Sequence, residues 1–192
     1  VPAARMPEAA DAETRPAQRD EHRALSRLYS RQSAVIRSRI CVVPRALQAP
    51  ADDSQIFALR KCGNDYGLAR MGADLTDEPL RPDGTYVFAI KASDPNTILL
   101  GKTTLFDTAI AAPARGQTPG EDADLAVEGH TSITHGEDVV YAGTAWFSKG
   151  ALKGWSNSSG HYQPQAENRM QALTKFNQLL LPKEKFIAHH IR

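Results

Sequence analysis

Two apolar runs, DVVYAGTAWF (138–147) and ALKGWSN (151–157), are separated only by Ser148-Lys149-Gly150. A connection that short, with glycine in the turn, joins neighbouring antiparallel strands, so this stretch commits to a β-hairpin. The hairpin then constrains what flanks it. EGHTSITHGED (128–138) enters the first strand and SGHYQP (159–164) leaves the second, so both fall at one end of the sheet. Geometry alone thus gathers His130, Ser132, Ser159, His161 and Tyr162 into one cluster, with Thr131 and Gly160 beside them.

The rest of the chain is read around that hairpin. RICVVP (39–44, stopped by Pro44), QIFALR (55–60), TYVFAIK (85–91) and TILLG (97–101) have the short apolar character of strands, and SDPN (93–96) turns the last two back on each other. Residues 107–128 are rich in Ala, Pro, Gly and acids, which predicts a long mobile loop. From Asp20, residues Leu25, Leu28, Tyr29, Gln32, Val35 and Ile36 recur at helical spacing. Pro164 is placed to open a final helix whose buried face is Met170, Leu173, Phe176 and Leu180, with Pro182 as its stop. KFIAHHI then supplies an edge strand. The expected organisation is a flexible leader over residues 1–19 and a single α+β domain over 20–192. Its mostly antiparallel sheet is packed by an N-terminal and a C-terminal amphipathic helix.

Charge and composition remove several classes. With 23 Lys and Arg against 22 Asp and Glu, the formal charge is +1, and no global field favours nucleic acid or an anionic membrane. No apolar run is long enough to span a bilayer, and no signal-peptide pattern is present. The chain opens on Val1, which reads as a processed piece. Cys41 and Cys62 form neither a disulfide framework nor a metal-ligand spacing, and suit a reducing environment. GKTT (101–104) lacks the upstream glycine of a phosphate loop, since Asn96 stands there. His130 and His135 complete no zinc pattern, so no metal is expected. Asn157-Ser158-Ser159 is formally a glycosylation sequon. Arg23, Arg27 and Arg31 form a row at i, i+4, which reads either as a solvated helix face or as a dock for an acidic partner.

A histidine among hydroxyls can move protons or grip a polar ligand. The same groups can instead cap the sheet and the last helix. The segments YVFAIKASDPNTILLG, GHTSITHGEDVVYAGTAWFSKGALKGWSNSSGHYQP and QAENRMQAL resemble the C-terminal domain of the plant IQ-motif calmodulin-binding proteins. Similar segments occur in bacterial effectors and polymorphic toxins. The resemblance covers residues 84–190 and rests on His130-Thr131-Ser132, Ala142-Gly143, Gly150 with Leu152, and Ser159-Gly160-His161-Tyr162 with Pro164. There is no IQ motif, so calmodulin binding does not carry over. Ile-Thr-His-Gly-Glu follows Ser132 where the family has a run of Phe, Leu and Gly, and the Ala/Arg-rich leader resembles that of secreted bacterial effectors.

The resemblance implies a secreted bacterial effector or toxin domain that acts on a host or target-cell protein in that cell's cytoplasm, with a secretion chaperone or immunity protein as a further partner. One alternative is an ADP-ribosyltransferase-like toxin using NAD, with His130, Tyr162 and Glu167 in suggestive order. The candidate catalytic residues are then His130, Ser132, His161, Tyr162 and Glu167, and the ligand-binding ones Thr131, Ser159 and Gly160. The other alternative is a non-catalytic interaction module whose arginine helix docks a partner, which the lack of a catalytic carboxylate at the cluster would favour.

Overall fold

The computed structural model describes residues 14–72, 77–103 and 125–190. Of the predicted leader over 1–19, residues 1–13 lie outside the described residues, as does most of the 107–128 loop, whereas residues 14–19 are helical rather than a flexible leader.

The expected hairpin is the spine of the fold. Strands β5 (Val139–Ser148) and β6 (Ala151–Ser156) pair antiparallel, with Ser148 opposite Ala151. Lys149 and Gly150 both take positive φ, 47° and 84°, the combination a two-residue type I′ turn demands. Around the hairpin, β1 (Phe57–Cys62), β2 (Asp65–Arg70), β3 (Gly84–Lys91), β4 (Leu99–Lys102) and β7 (Phe186–Ile187) complete a sheet in the order β2-β1-β4-β3-β5-β6-β7. Among the described residues the strand-to-strand ladders are antiparallel except that of β6 with β7. The fold is therefore α+β on a mostly antiparallel, mixed sheet, and KFIAHHI does contribute an edge strand.

Alternation along β3 splits the core between two faces. Tyr86, Phe88 and Ile90 join one apolar cluster with Tyr141, Trp155, Leu173, Leu180 and Leu181, while Val87 and Ala89 join another with Ile133, Ala142 and Tyr162. In the first cluster Trp155 stands edge-on to Phe88, Tyr141 and Phe186, at centroid distances of 6.1, 6.4 and 4.7 Å, separations at which aromatic rings attract beyond their buried area.

Several expected elements differ. RICVVP is a single bridge: Val42 exchanges both backbone hydrogen bonds with Val139, at 2.7 and 3.0 Å, and Pro44 has no N–H to extend the pairing. β2 was not foreseen, although Gly63 at φ 64° makes the two-residue turn that pairs it with β1. The two expected helices differ in their extent. Helix α1 (Thr14–Arg39) starts six residues before Asp20, and Leu25 and Leu28 are 52% and 62% exposed, with Ile36 the buried member among the described side chains of the predicted stripe. The final segment breaks after a 3-10 turn at Ala166–Asn168, and α3 covers only Lys175–Leu180. Thr174 sets that later start, because its hydroxyl accepts from the Asn177 N–H as an N-cap. Phe176 is thereby turned outward.

Of the described glycines, Gly143 has the tightest surroundings. A methyl group there would stand 1.8 Å from the Ser156 carbonyl oxygen, whereas one at Gly160 would meet nothing within 4 Å. Gly143→Ala is expected to lower stability by about 3 kcal/mol through forced overpacking, and Gly160→Ala to change it by less than about 0.5 kcal/mol. Denaturant titration of the two variants distinguishes these outcomes.

Candidate functional site

The polar residues ahead of β5 fold into a single helical turn, α2 (His130–Thr134), buried at all five positions. The chain leaves it through His135 and Gly136, both at positive φ, and the Gly136 N–H closes the turn on the Thr131 carbonyl at 3.1 Å. α2 contacts β3, β4 and β5 on the face that carries Val87, Ala89 and Tyr162.

The two ends of the hairpin do meet. Tyr162 OH donates to the Glu137 carbonyl at 2.5 Å and lies 2.7 Å from Thr134 Oγ1. With the phenol proton spent on Glu137, the second bond draws on the single Thr134 hydroxyl proton, which also has the Thr131 carbonyl in reach at 3.4 Å. His130 also lies close enough to His161 to feel its charge. A segment that the sequence did not mark binds the two ends from outside. Arg45 N–H donates to the His161 carbonyl at 2.8 Å. Gln48 takes Thr131 from three sides: its N–H donates to Thr131 Oγ1, and its side-chain oxygen accepts from Thr131 N–H and Oγ1. Gln48 Nε2 and Ala49 N–H both reach Glu128. Ala51 N–H donates to the Ser132 carbonyl, and its own carbonyl accepts from His135 Nε2 at 2.9 Å. Residues 42–51 are thus a strap across the whole cluster. Nothing in the pattern around Gln48 announces it, since its role depends on contacts more than 80 residues away.

Each predicted residue can now be placed. His130 is buried, and its Nε2–H donates to the Gly143 carbonyl at 2.7 Å, which fixes the neutral tautomer. Burial lowers its pKa to about 4; the Gly143 bond works against that shift, and the nearby His161 reinforces it. Ser132 is 1% exposed and its hydroxyl has no hydrogen-bond partner among the described residues. Ser159 Oγ accepts from Tyr162 N–H, and its carbonyl from Gln163 N–H. Gly160 is exposed and His161 half-buried. Glu167 is apart. It is exposed on the 3-10 turn and its carboxylate acts on Tyr141, a member of the opposite apolar cluster, with no described contact to His130, Ser132 or Tyr162. The carboxylates that do act on Tyr162 are Asp138 and Glu137, neither foreseen. Lys91 and Ser93 hold Glu137 at 2.8 and 2.9 Å, and their hydrogen bonds draw its pKa below the usual carboxylate range. Asp138 takes the Cys41 thiol at 3.6 Å.

The remaining polar residues of 156–164 are also engaged. Asn157 Nδ2 donates to the carbonyls of Pro164 and His189, and Oδ1 accepts from His189 N–H at 2.7 Å. Buried and fully bonded, Asn157 cannot serve as a glycosylation acceptor in the folded chain. Thr144 Oγ1 donates to the Ser158 carbonyl, and Ser156 Oγ accepts from Ser158 N–H. Among the described residues no three His, Cys, Asp or Glu side chains are placed to hold a metal. The arrangement can lock the end of a sheet; its hydroxyls and imidazole are mostly committed to that task.

No family model, curated protein or solved structure with which the chain was compared matches it.

Two outcomes follow from the burial of these groups. His130 binds its proton more weakly folded than unfolded, so the unfolded chain takes up more protons as pH falls below about 6.5. Stability is then complete above that pH and falls by about 3 kcal/mol on the way to pH 4. His130→Asn, which removes the titration, should flatten this part of a pH series of denaturant midpoints. Ser132→Ala deletes a buried hydroxyl with no partner, and is expected to be neutral or stabilising by about 1 kcal/mol, whereas Tyr162→Phe should cost about 1–3 kcal/mol. Thermal melts of the two variants measure both.

Proposed function

We propose that the chain is a non-catalytic protein-interaction module of a secreted bacterial effector or toxin, acting by binding a host or target-cell protein. The observation that carries this reading is the closure of the histidine–hydroxyl cluster. His130, Thr131, Thr134, Ser159 and Tyr162 direct their polar atoms at the chain itself. The carboxylate expected to complete a catalytic set, Glu167, points its influence toward Tyr141 instead. An enzyme holds such groups open to a substrate with a base or nucleophile within reach. Surface is presented elsewhere, above all along the arginine-bearing helix α1, where Arg23, Arg27 and Arg31 are exposed. The setting, secretion from a bacterium and action in another cell's cytoplasm with a chaperone or immunity protein as second partner, rests on the resemblance of residues 84–190 and belongs to the same proposal.

Titration with NAD is expected to give no heat of binding, and incubation with NAD no release of nicotinamide. Glu167→Gln and His161→Ala are expected to melt within about 0.5 kcal/mol of the parent chain, as surface changes do. NAD turnover that Glu167→Gln abolishes without loss of stability would replace this reading by the ADP-ribosyltransferase one.

A further inference from the structure

We propose that residues 43–50 are a hinged strap, latched at Gln48, that opens as one unit while the sheet stays folded and so gates access to the turn at Thr131. This goes beyond the interaction-module reading and does not depend on it.

Both ends of the segment are fixed, and its middle is not buried. Val42 exchanges two backbone hydrogen bonds with Val139 and packs against the apolar cluster of Val87, Ala89 and Tyr162. Ala51 and Ile56, 8% and 4% exposed, belong to that same cluster. Between these anchors no side chain of 43–50 is buried, and Val43 and Leu47 are 64% and 72% exposed. Pro44 and Pro50 stand near the two ends, where each lacks an N–H that could tie the hinge down. A segment that buries no apolar side chain and is held by polar bonds lies at the low end of the local stabilities in a fold. Opening it passes those bonds to water, so each costs far less than its gross strength.

The bonds concentrate on one residue. Gln48 N–H donates to Thr131 Oγ1 at 2.8 Å, and its Oε1 accepts from Thr131 N–H and Oγ1 at 3.2 and 3.0 Å. Its Nε2 donates to the Glu128 carbonyl at 3.0 Å. Arg45 N–H on the His161 carbonyl, at 2.8 Å, and Ala49 N–H on the Glu128 carboxylate, at 3.0 Å, add single bonds. The Gln48 carboxamide also sits directly on Gly129, where a methyl group would stand 2.4 Å from Nε2 and 2.6 Å from Oε1. At φ 166° the Gly129 backbone is extended, which residues with side chains also adopt. Glycine is therefore needed there for room, and the room is filled by the latch. Beneath it Thr131 is 1% exposed, and its N–H and hydroxyl are the groups that Gln48 takes. With the strap lifted both meet solvent, whereas β3 and β5 keep their own ladder.

Native-state hydrogen exchange of the full chain, followed by NMR through low denaturant, is the test. The amides of Arg45, Gln48, Ala49 and Thr131 are expected to share one protection level that low denaturant hardly changes. Phe88 and Tyr141, fully buried on paired strands, should be better protected and follow global unfolding. Gln48→Ala removes the latch, and Gly129→Ala displaces its carboxamide. Each should lower protection about tenfold at Arg45 and Ala49, whose own bonds neither change touches. Leu152→Val, in the opposite apolar cluster, weakens the open and closed forms alike. It should lower protection at Phe88 and Tyr141 and leave Arg45 and Ala49 as in the parent chain. Strap amides that follow Phe88 and Tyr141 with denaturant, or that respond equally to Leu152→Val, overturn the separate opening. Parent-like protection of Arg45 and Ala49 in both latch variants overturns the role of Gln48. Thr131 exchanging only with global unfolding while the strap opens overturns the gate.

Discussion

The fold depends on how closely two strands approach at Gly143. Its Cα lies under the Ser156 carbonyl, where no side chain fits, and its own carbonyl is buried and faces α2. A buried carbonyl without a partner costs as much as a lost hydrogen bond, and β6 ends before it can supply one. His130 supplies it from outside the sheet. That one bond sets the position of α2, because the imidazole must reach 2.7 Å from a fixed backbone atom. Once α2 is placed, Thr134 meets Tyr162, Thr131 meets Gln48, and the strap at 42–51 has its anchor points. The sheet edge, the short helix and the strap form one polar network with a histidine at its root.

Networks of this kind give the polar residues of a stretch that reads like an active site partners within the chain itself. SNSSGHYQP leaves β6 and must turn without a ladder to satisfy its backbone. Its serine and asparagine side chains take that role, bonding backbone groups a few residues away or on the tail, and Thr144 of β5 reaches across to the Ser158 carbonyl. Burial then holds His130 neutral through the physiological range, which suits a hydrogen-bond donor to a carbonyl better than a proton shuttle.

How legible this was depended on range. The β5–β6 hairpin was readable because its signal is local: apolar runs, a glycine turn and a fixed two-residue geometry. The meeting of the His130 and Tyr162 ends followed from the hairpin by topology alone. β2 was missed because only Tyr66 and Leu68 point inward from it, too few to build a pattern, although the Gly63-Asn64 turn was a usable sign. The last helix was over-extended because Met170, Leu173, Phe176 and Leu180 repeat at helical spacing while Thr174 caps in their midst, and a strong cap overrides period. Gln48 and the rest of residues 45–51 carry no periodic or motif signal; the partner of Gln48, Thr131, lies 83 residues away in sequence. The pairing of Glu137 with Lys91 and of Asp138 with Cys41 was hidden for the same reason.

The parallel pairing of β7 with β6 has a consequence for the order in which the chain becomes whole. Asn157 waits for His189, and Trp155 for Phe186 and the Pro182 carbonyl, 2.8 Å from its indole nitrogen. During synthesis the other strands are available while this end of the sheet is still missing its closing residues. Until the tail leaves the ribosome, an indole and a carboxamide that end up buried stay exposed, and the edge of β6 is open. The interval between completing β6 and the emergence of residues 182–189 is when a nascent chain of this sequence most needs shielding from its neighbours.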